Sequence, residues 1–428
     1  MEIRINKSAI TQYLLIYLMF IIPGSCLFAK YWTGTMKYFV LLIIYAALIA
    51  FKKKYQSRYS ICFLLLLLFF TVFSRFLIGG VGLSAWCQFA VCILSTQIAI
   101  CCDRKNFLNR WIQTVEFFAA ISIGFWAVFC IAPNLVNLWP AQSFDTQALG
   151  TAGWETYWHG KGVLLYSYLE IHPTRNCGIF TEPGVYQIVL NMTLFVLLFW
   201  KDKLSFAAER RYRRCLNIIL IGIITAQSTT GYLGLVLILF FFYFTHQEHE
   251  VNRVKFYLMG LLFIALVVLF VDYSTRVNDS ILYKQIIEKL FGSSGSGFDV
   301  SSGTGQYRLG TMIVSLATVF QHPLGVGYDA FYAARNAFGS GLVAASLLAY
   351  AAVYGIIPWL IVLGMIFTPV FRHQRRAVAF LYVLLFVNTT LAQTDLIYPA
   401  FFMIPMYLVA TKNMNKYSCD SCTVTLNL

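Results

Sequence analysis

The chain has 428 residues, of which 59% are hydrophobic and only 12% are charged, and its mean hydropathy is +0.70. Soluble domains carry about 25% charged residues, so this composition excludes a soluble globular protein. The net charge of +14 does not indicate nucleic-acid binding, because the basic residues lie in short segments between apolar runs, as they do in membrane proteins. We therefore predict a multi-pass membrane protein with no nucleic-acid partner.

Apolar runs are spaced along the whole chain, which predicts an all-α fold with about twelve transmembrane helices. The first run lacks a small-residue cleavage site and is predicted to be a signal anchor rather than a cleaved signal peptide. Several runs are shorter than the ~20 residues of a straight crossing, which indicates tilted or broken helices. Residues 1–428 are expected to form a single integral membrane domain, with spans at 9–28, 37–51, 59–78, 84–102, 111–132, 185–200, 215–228, 231–245, 256–273, 355–371, 377–394 and 398–411.

Lysine and arginine are concentrated in alternate connecting segments, which predicts the orientation of the helices. Both termini are expected in the cytoplasm. The segments expected there carry Arg4, Lys7, Lys52–Lys54, Arg58, Arg104, Lys105, Arg110, Lys201, Lys203, Arg210, Arg211, Arg213, Arg214, Arg253, Lys255, Arg372, Arg375, Arg376, Lys412 and Lys416. The far side carries fewer basic residues, namely Lys30, Lys37, Lys161, Arg175, Arg276, Lys284, Lys289, Arg308 and Arg335.

Two connecting segments on the far side are long, at 133–184 and 274–340, and long loops in a tight helical bundle usually carry function. The first contains several rings that suit stacking on sugars but are also common at any membrane interface, namely Trp139, Trp154, Tyr157, Trp158 and His159. The second is expected to carry a short amphipathic helix at the membrane surface over 309–320, which ends at His322-Pro323. The apolar stretch from Leu342 to Tyr354 could form a half-helix that leads into the next span.

The first polar motif closes the first long loop and reads Arg175-Asn-Cys-Gly-Ile-Phe-Thr-Glu-Pro-Gly184. Thr181 is a plausible N-cap, and Pro183 suits the first turn of the helix that follows. Glu182 then lies at the positive end of that helix, within chain reach of Arg175. The simpler alternative is a capping carboxylate that pairs with an arginine.

The second motif, Gln227-Ser-Thr-Thr-Gly-Tyr232, interrupts the apolar stretch 215–245. This stretch is too short for two crossings of ~20 residues and a loop. We expect two short helices that meet at a polar tip within the outer half of the bilayer, where polar backbone must be buried in protein or line a cavity. A tight interhelical turn without function is the alternative.

The third motif comprises Arg308 and, after the amphipathic helix, His322-Pro-Leu-Gly-Val-Gly327. An arginine at an outer membrane surface can bind two phosphate oxygens through its planar guanidinium group, or it can simply extend its charge into the interface. Residues 325–330 formally match G-x-G-x-x-A, but no βαβ unit surrounds them, so no dinucleotide site is expected. Without a Walker A or D-x-D sequence we predict no cofactor and no metal; the lone pair Cys419 and Cys422 is half of a zinc ligand set.

Taken in order, these three motifs resemble the O-antigen polymerase/ligase superfamily, whose members include the Wzy-type polysaccharide polymerases. The resemblance covers roughly residues 170–370 by motif and the whole chain by helix number and loop placement. It implies a GT-C-like, metal-independent glycosyltransferase that acts on undecaprenyl-diphosphate-linked glycans at the periplasmic face of the bacterial inner membrane. The two long loops are then periplasmic, and the partners are the lipid-linked donor and acceptor, membrane lipids and, as a further candidate, a chain-length regulator.

The resemblance also assigns roles to residues. Arg175 and Arg308 match the family arginines that grip the lipid diphosphate, and Glu182 matches the acidic position of the first motif and is our candidate general base. Further substrate-binding candidates are His322, Ser228, Tyr232 and Trp158.

One departure separates the two branches of the superfamily. The ligase branch has a histidine and a polar residue ten or eleven positions before a late glycine, where this chain has Ala344 and Ala345 before Gly355. This favours a polymerase over an O-antigen ligase that transfers glycan to lipid A core, although His322 could be a displaced ligase histidine. The alternative outside the enzymes is a transporter or flippase for lipid-linked sugars, which should show internal repeats and mid-membrane charges; we find no clear repeat, and only Arg75, Glu116 and Asp395 approach spans.

Overall fold

The computed structural model describes residues 7–24, 36–78, 83–148, 156–206, 208–245, 260, 267, 270–272, 274–275, 280, 303–338, 345–392 and 398–419. The described chain is mainly helical. The helices are α1 (Lys7–Gly24), α2 (Met36–Phe51), α3 (Arg58–Ile78), α4 (Leu83–Cys102), α5 (Phe107–Ile131), α6 (Leu135–Leu138), α7 (Pro183–Phe199), α8 (Glu209–Ala226), α9 (Thr229–Thr245), α10 (Gly303–Gln321), α11 (Gly327–Ala337), α12 (Ser346–Tyr354), α13 (Ile356–His373), α14 (Arg376–Ala392) and α15 (Pro399–Cys419).

The helices follow the apolar runs of the sequence. Every predicted span except 256–273, which lies mostly outside the described residues, overlaps a helix. By length and composition, three helices among the described residues are long and apolar enough to cross a membrane, Arg58–Leu77, Phe107–Ile131 and Ile356–His373; the apolar stretches of the other helices span 10–17 residues. The predicted mainly helical fold is therefore confirmed, while the count of about twelve crossings remains a prediction.

The surface of α3 is also suited to a membrane. Leu65, Phe69 and Phe76 are 60%, 60% and 88% exposed, and they form part of a continuous apolar face. Soluble monomers rarely expose apolar patches of this extent. This face is suited to contact with lipid chains rather than water.

The first long loop contains a small sheet that the all-α prediction missed. Strands β1 (Gln142–Ala148), β2 (Thr156–Gly162) and β3 (Ser167–Leu169) form an antiparallel meander in the order β1-β2-β3. Trp158 on β2 pairs with Thr146 on β1. Aromatic and β-branched residues favour strands, but aromatic residues are also common at membrane interfaces, so their presence alone does not predict a sheet.

Aromatic side chains attach this sheet to α5. Phe129 and Tyr166 are buried together with Val136, and Trp139 packs against both rings at centroid distances of 5.3 and 5.9 Å. The ring of Phe125 stacks on Tyr166 at 5.2 Å. Trp139, one of the rings expected to stack on sugars, is therefore part of the packing between the loop and the bundle.

The bundle has two ends of different character. One end, called here the basic end, is where four basic segments meet, namely 52–58, 103–110, 200–206 and 372–376. Trp200 Nε1 donates a hydrogen bond to Gln374 Oε1 at 3.0 Å, and the ring of Tyr407 lies 5.7 Å from Trp200 and 6.1 Å from Phe107. The opposite end, called the loop end, carries the sheet, residues 163–182, the α8–α9 junction and residues 322–326.

Candidate functional site

Asn176 holds the first motif against the bundle at the loop end. Its backbone N–H donates to Thr225 O at 2.9 Å, and its side-chain Nδ2 donates to Thr225 Oγ1 at 3.1 Å and to Ser122 Oγ at 3.2 Å. Asn176 Oδ1 accepts from Gly178 N at 2.9 Å. One fully buried amide thus fixes the loop to α5 and α8 and sets the position of its neighbour Arg175.

Gly178 is required by this arrangement. Its φ is +60°, and a Cβ at this position would lie 2.7 Å from Cδ2 of Tyr186. The Tyr186 hydroxyl in turn lies 2.9 Å from Ser122 Oγ. The glycine therefore lets the loop pass directly over a buried tyrosine of α7, which adds a second fixed point next to Asn176.

Arg175 is half-buried, and its charge is close to Tyr232 of the second motif. Burial lowers the pKa of Arg175, while Cys177 and Tyr232 act in the opposite direction. The structure therefore brings together Arg175 and Tyr232, which are far apart in the sequence.

Glu182 lies in the same neighbourhood. It is the N-cap residue of α7 with an extended backbone (φ −150°, ψ 152°), and its side chain makes no capping hydrogen bond. Burial raises the pKa of the Cys177 thiol, Glu182 adds to this effect and Arg175 opposes it. Both charges therefore act on one buried thiol. The prediction of Thr181 as N-cap is wrong by one residue, since α7 begins at Pro183.

The second motif forms the expected tip between two helices. Gln227 ends α8 in the left-handed conformation (φ 47°), and Ser228 Oγ accepts from Gly231 N at 3.4 Å. The Tyr232 hydroxyl donates to Ile224 O at 2.8 Å. Ser228 therefore has a local structural role, and the hydroxyl of Tyr232 closes the turn between α8 and α9.

Buried amides connect this tip to neighbouring helices. Asn388 Nδ2 on α14 donates to Thr230 O at 2.9 Å, and Asn191 Nδ2 on α7 donates to Gly231 O at 3.1 Å and to Gln187 Oε1 at 2.9 Å. Gln187 Nε2 and Asn191 Oδ1 are buried without a hydrogen-bond partner. The loop end thus contains polar groups inside an otherwise apolar bundle, and two of their atoms remain unsatisfied.

Arg308 lies near the start of α10, and its side chain is outside the described residues. Helix α10 packs on α11 and α12, and Ser346 Oγ at the start of α12 donates to Thr390 O of α14 at 3.0 Å. Asn388 of the same helix α14 contacts the α8–α9 tip. Arg308 is therefore part of the helix group that borders the tip, while its predicted approach to Arg175 remains a prediction.

The third motif has a backbone role. Gly325 (φ +91°) crosses Gly355 (φ +94°), and a Cβ on Gly325 would lie 2.6 Å from Gly355 N. Val326 N donates to Ala352 O at 3.0 Å, and Ile356 N donates to Pro323 O at 2.9 Å. Only glycine permits this contact between two backbones, which also breaks the helix between α12 and α13.

Three further predictions concern His322, the half-helix before the late span, and Trp158. His322 is exposed just after α10, and its carbonyl accepts from Gly325 N at 2.9 Å. The expected half-helix before the late span is confirmed as α12, and Ala345 precedes it in the left-handed conformation with φ 60°. Trp158 lies in β2, and its side chain is outside the described residues.

Arg335 is a buried cation of the loop end that the sequence analysis did not select. It lies on α11, is 3% exposed, and its Nε and Nη1 atoms have no hydrogen-bond partner. Nη2 donates to Asn336 Oδ1 at 3.1 Å, and the guanidinium lies 4.4 Å from the ring centre of Tyr332. Burial lowers the pKa of Arg335, with Tyr332 opposing the shift. In the sequence, the feature that sets Arg335 apart is its position after small and aromatic residues, in Phe331-Tyr-Ala-Ala-Arg335.

Within the described ranges, no group of three or more His, Cys, Asp or Glu side chains could hold a metal ion. The chain matches no protein-family model, no curated protein and no solved structure. The functional interpretation therefore depends on the site itself.

Proposed function

We propose that this protein is a membrane-embedded glycosyltransferase of the Wzy type, which polymerises lipid-diphosphate-linked oligosaccharide repeat units into O-antigen or a related surface polysaccharide. One observation supports the proposal: the charge of Arg175 acts on Tyr232 of the second motif and, together with Glu182, on the buried Cys177 thiol at the loop end. A half-buried arginine whose charge reaches a tyrosine, with a carboxylate that acts on the same buried thiol, suits the displacement of a diphosphate leaving group from a sugar.

The proposed reaction joins two substrates. A hydroxyl at the non-reducing end of the acceptor attacks the anomeric carbon of the donor, a new glycosidic bond forms, and the bond to the lipid diphosphate breaks. The hydroxyl proton passes to a base, for which Glu182 is the candidate, and the diphosphate leaves with the bonding electron pair. Proton transfer to such a base contributes about 10²–10⁴-fold to the rate.

The arginines supply the larger electrostatic contribution in this proposal. Negative charge develops on the diphosphate as the bond breaks, and fixed cations in a desolvated site stabilise that charge most strongly. Arg175 and Arg308 are the candidates for this contact. An arginine can bind two oxygens at once, so the proposed mechanism requires no divalent ion.

The proposal places the loop end in the periplasm and the basic end in the cytoplasm, because lysine and arginine prefer the cytoplasmic side of short loops. Single cysteines can test this in intact spheroplasts with an impermeant thiol reagent. A cysteine at the exposed position His322 should react before lysis, and a cysteine at Arg211 only after lysis. The opposite pattern overturns the proposed sidedness and the periplasmic site with it.

The decisive experiment is the surface lipopolysaccharide pattern of a deletion strain. Loss of a polymerase leaves core that carries single repeat units, loss of a ligase leaves bare core, and loss of a flippase accumulates repeat units that face inward. We expect the first pattern, with the full ladder restored by the wild-type chain. Either of the other patterns would refute the polymerase assignment.

Purified protein provides a second test of the mechanism. Polymerisation of a lipid-linked repeat unit should continue in excess EDTA, because cationic side chains neutralise the leaving group. Loss of activity in EDTA that is restored by Mg²⁺ or Mn²⁺ would contradict an arginine-only leaving-group site.

A further inference from the structure

The basic end contains a cavity that the proposed reaction does not use. Its volume is about 400 Å³, and it lies between the start of α3, the end of α4 and the middle of α15. Ser57, Arg58, Gln97, Arg104 and Met406 are among the lining residues. It is therefore a separate candidate binding site at the end of the bundle opposite the loop end.

The charged part of the cavity wall is entirely basic. Arg58 and Arg104 line it, and the described lining residues include no acid. Arg104 Nη2 lies 3.6 Å from Cys101 Sγ, a weak acceptor. Arg58 is also the first residue of α3, so the positive end of that helix is directed towards the same space. These features favour an anionic group such as a phosphate.

Gln97 adds a second requirement. Its side chain is buried, Nε2 donates to the backbone carbonyl of Tyr55, and Oε1 has no hydrogen-bond partner. The amide orientation follows from the contact, because a carbonyl oxygen can only accept. Oε1 is therefore a buried acceptor on a residue of the cavity wall. A ligand that carries a hydrogen-bond donor beside its phosphate would satisfy both this acceptor and the arginines.

The surroundings of the cavity identify the source of the phosphate. Helix α3 is apolar and long enough to cross a membrane, and its exposed apolar face begins within the first turn. Ile61, Leu65 and Leu66 are 37%, 60% and 45% exposed. A polar, basic cavity at the first turn of a helix that also has an exposed apolar face provides for both parts of a phospholipid, and basic pockets between transmembrane helices bind lipid headgroups.

We propose that this cavity binds the headgroup of a membrane phospholipid that carries a hydrogen-bond donor beyond its phosphate, such as ethanolamine or glycerol. Arg58, Arg104 and the start of α3 hold the phosphate, and Gln97 Oε1 accepts from the ammonium or hydroxyl group. The acyl chains lie along the apolar face of α3. The site is independent of the proposed glycosyltransferase activity, so either proposal can fail without the other.

The test uses the full-length protein, delipidated in detergent and titrated with defined lipids, with retained lipid counted by native mass spectrometry. Phosphatidylethanolamine and phosphatidylcholine form the critical pair, because they have equal net charge but only the first has N–H donors in its headgroup. We expect phosphatidylethanolamine and phosphatidylglycerol to bind more tightly than phosphatidylcholine. Equal binding of all three lipids would overturn the proposal.

The variants separate the two parts of the site. Arg58→Gln with Arg104→Gln should weaken phosphatidylglycerol binding about thirtyfold. The matched control, Arg210→Gln with Arg214→Gln, removes the same charge from exposed positions near the basic end and should stay within about twofold. Equal losses in both double variants would indicate diffuse attraction and refute a defined site.

Gln97→Leu keeps both arginines and provides an independent measurement if the arginine variants fold poorly. It should abolish the preference for phosphatidylethanolamine over phosphatidylcholine while leaving phosphate affinity in place. An unchanged preference would refute the role of Gln97. Displacement of lipid by inorganic phosphate alone would show that the cavity is a free-phosphate site and would also refute the headgroup proposal.

Discussion

Two buried arginines at opposite ends of the bundle have contrasting environments. Arg110, near the basic end, is 7% exposed and forms an ion pair with Asp103 at 2.8 Å and a hydrogen bond with Gln12. Arg335, at the loop end, is 3% exposed, and among the described residues its guanidinium donates to the neighbouring Asn336 amide alone. Burial of a charge is costly unless the charge is paired. The cost of burying Arg110 is offset by its ion pair, whereas the cost of burying Arg335 is not.

The difference indicates that the buried arginine at the basic end has a structural role and the one at the loop end a functional role. At the basic end the two buried charges of α5 are paired within the protein, Arg110 with Asp103 at 2.8 Å and Glu116 with Arg211 at 2.9 Å. At the loop end the buried cation Arg335 is retained although no ion pair with it is found within the described ranges. Unsatisfied buried groups of this kind are typical of functional sites, and we propose an anionic substrate as the partner of Arg335.

The largest expected effect concerns the arginines of the proposed leaving-group site. Arg175→Lys keeps the charge but loses the planar, two-pronged geometry, so polymerisation should fall nearly as far as in Arg175→Ala, by about 10²–10³-fold. The same is expected for Arg308→Lys, and the double substitution should be little worse than either single one. The readout is the O-antigen ladder on a gel, with protein amount checked by immunoblot. A full ladder from both lysine variants at normal expression would leave these residues as interfacial anchors.

Arg110→Gln provides the contrasting experiment at the basic end. Removing one partner of a buried pair leaves the other charge uncompensated, and we expect a loss of about 3 kcal/mol in unfolding free energy, the low end of the usual range because Asp103 is 23% exposed. Thermal unfolding in detergent measures it. Activity per folded molecule should be unchanged, and a specific activity loss without destabilisation would contradict the framework role.

The same pair predicts a pH dependence. Burial of Asp103 raises its pKa, but Asn106 and Arg110 together outweigh this and lower it below the ordinary value of 3.8. A lowered folded-state pKa stabilises the folded protein above the unfolded value, and the contribution is lost as the pH falls through the folded pKa. Wild-type protein should therefore lose stability below a pH of about 4 more steeply than Arg110→Gln.

The glycine crossing predicts a smaller but still clear loss at the loop end. Gly325→Ala places a methyl group against the backbone of residues 353–355 at a φ of +91° and should destabilise the protein by about 2 kcal/mol or more. Gly124→Ala is the matched control, since nothing lies within 4 Å of its Cβ position on α5; it should stabilise the helix by about 0.5–1 kcal/mol. Equal effects would show that the crossing is not tight.

The sequence predicted those features that depend on local pattern. The apolar runs located the helices, and the shortness of 215–245 predicted the hairpin of α8 and α9 with its polar tip. The crossing of Gly325 and Gly355 was not predictable, because it depends on two backbones that meet only in the folded chain. The sheet was missed because its aromatic residues suit a strand, a membrane interface and a sugar site equally well.

The residues of the candidate site could be predicted from the sequence, but their arrangement could not. Arg175, Glu182 and Tyr232 could be selected from their motifs, but the position of Arg175 depends on Asn176, whose partners Ser122 and Thr225 lie on α5 and α8. The sequence distinguishes Arg335 only by its small and aromatic neighbours, which do not predict that the arginine is buried. Its burial and its unpaired nitrogens are properties of tertiary packing.

The smallest stability change is expected at Arg335, and it tests the comparison most directly. Replacing an unpaired buried charge by an apolar side chain of similar length is often neutral or stabilising. Arg335→Met should therefore unfold at the same temperature as the wild type or slightly above, in contrast to Arg110→Gln, while polymerisation falls about tenfold through the loss of a contact with the anionic substrate. Arg335→Lys should recover part of the activity because it restores the charge.

Two outcomes at Arg335 would refute this interpretation. Destabilisation of Arg335→Met as large as that of Arg110→Gln would mean that the folded protein does satisfy this cation, so the two ends would not differ. A stable Arg335→Met with a full ladder would mean that the unpaired charge serves no substrate. If Arg335 is held for a substrate, Arg335→Met should keep its stability and lose activity. If the arginine serves only packing, the variant should lose both stability and activity, or neither.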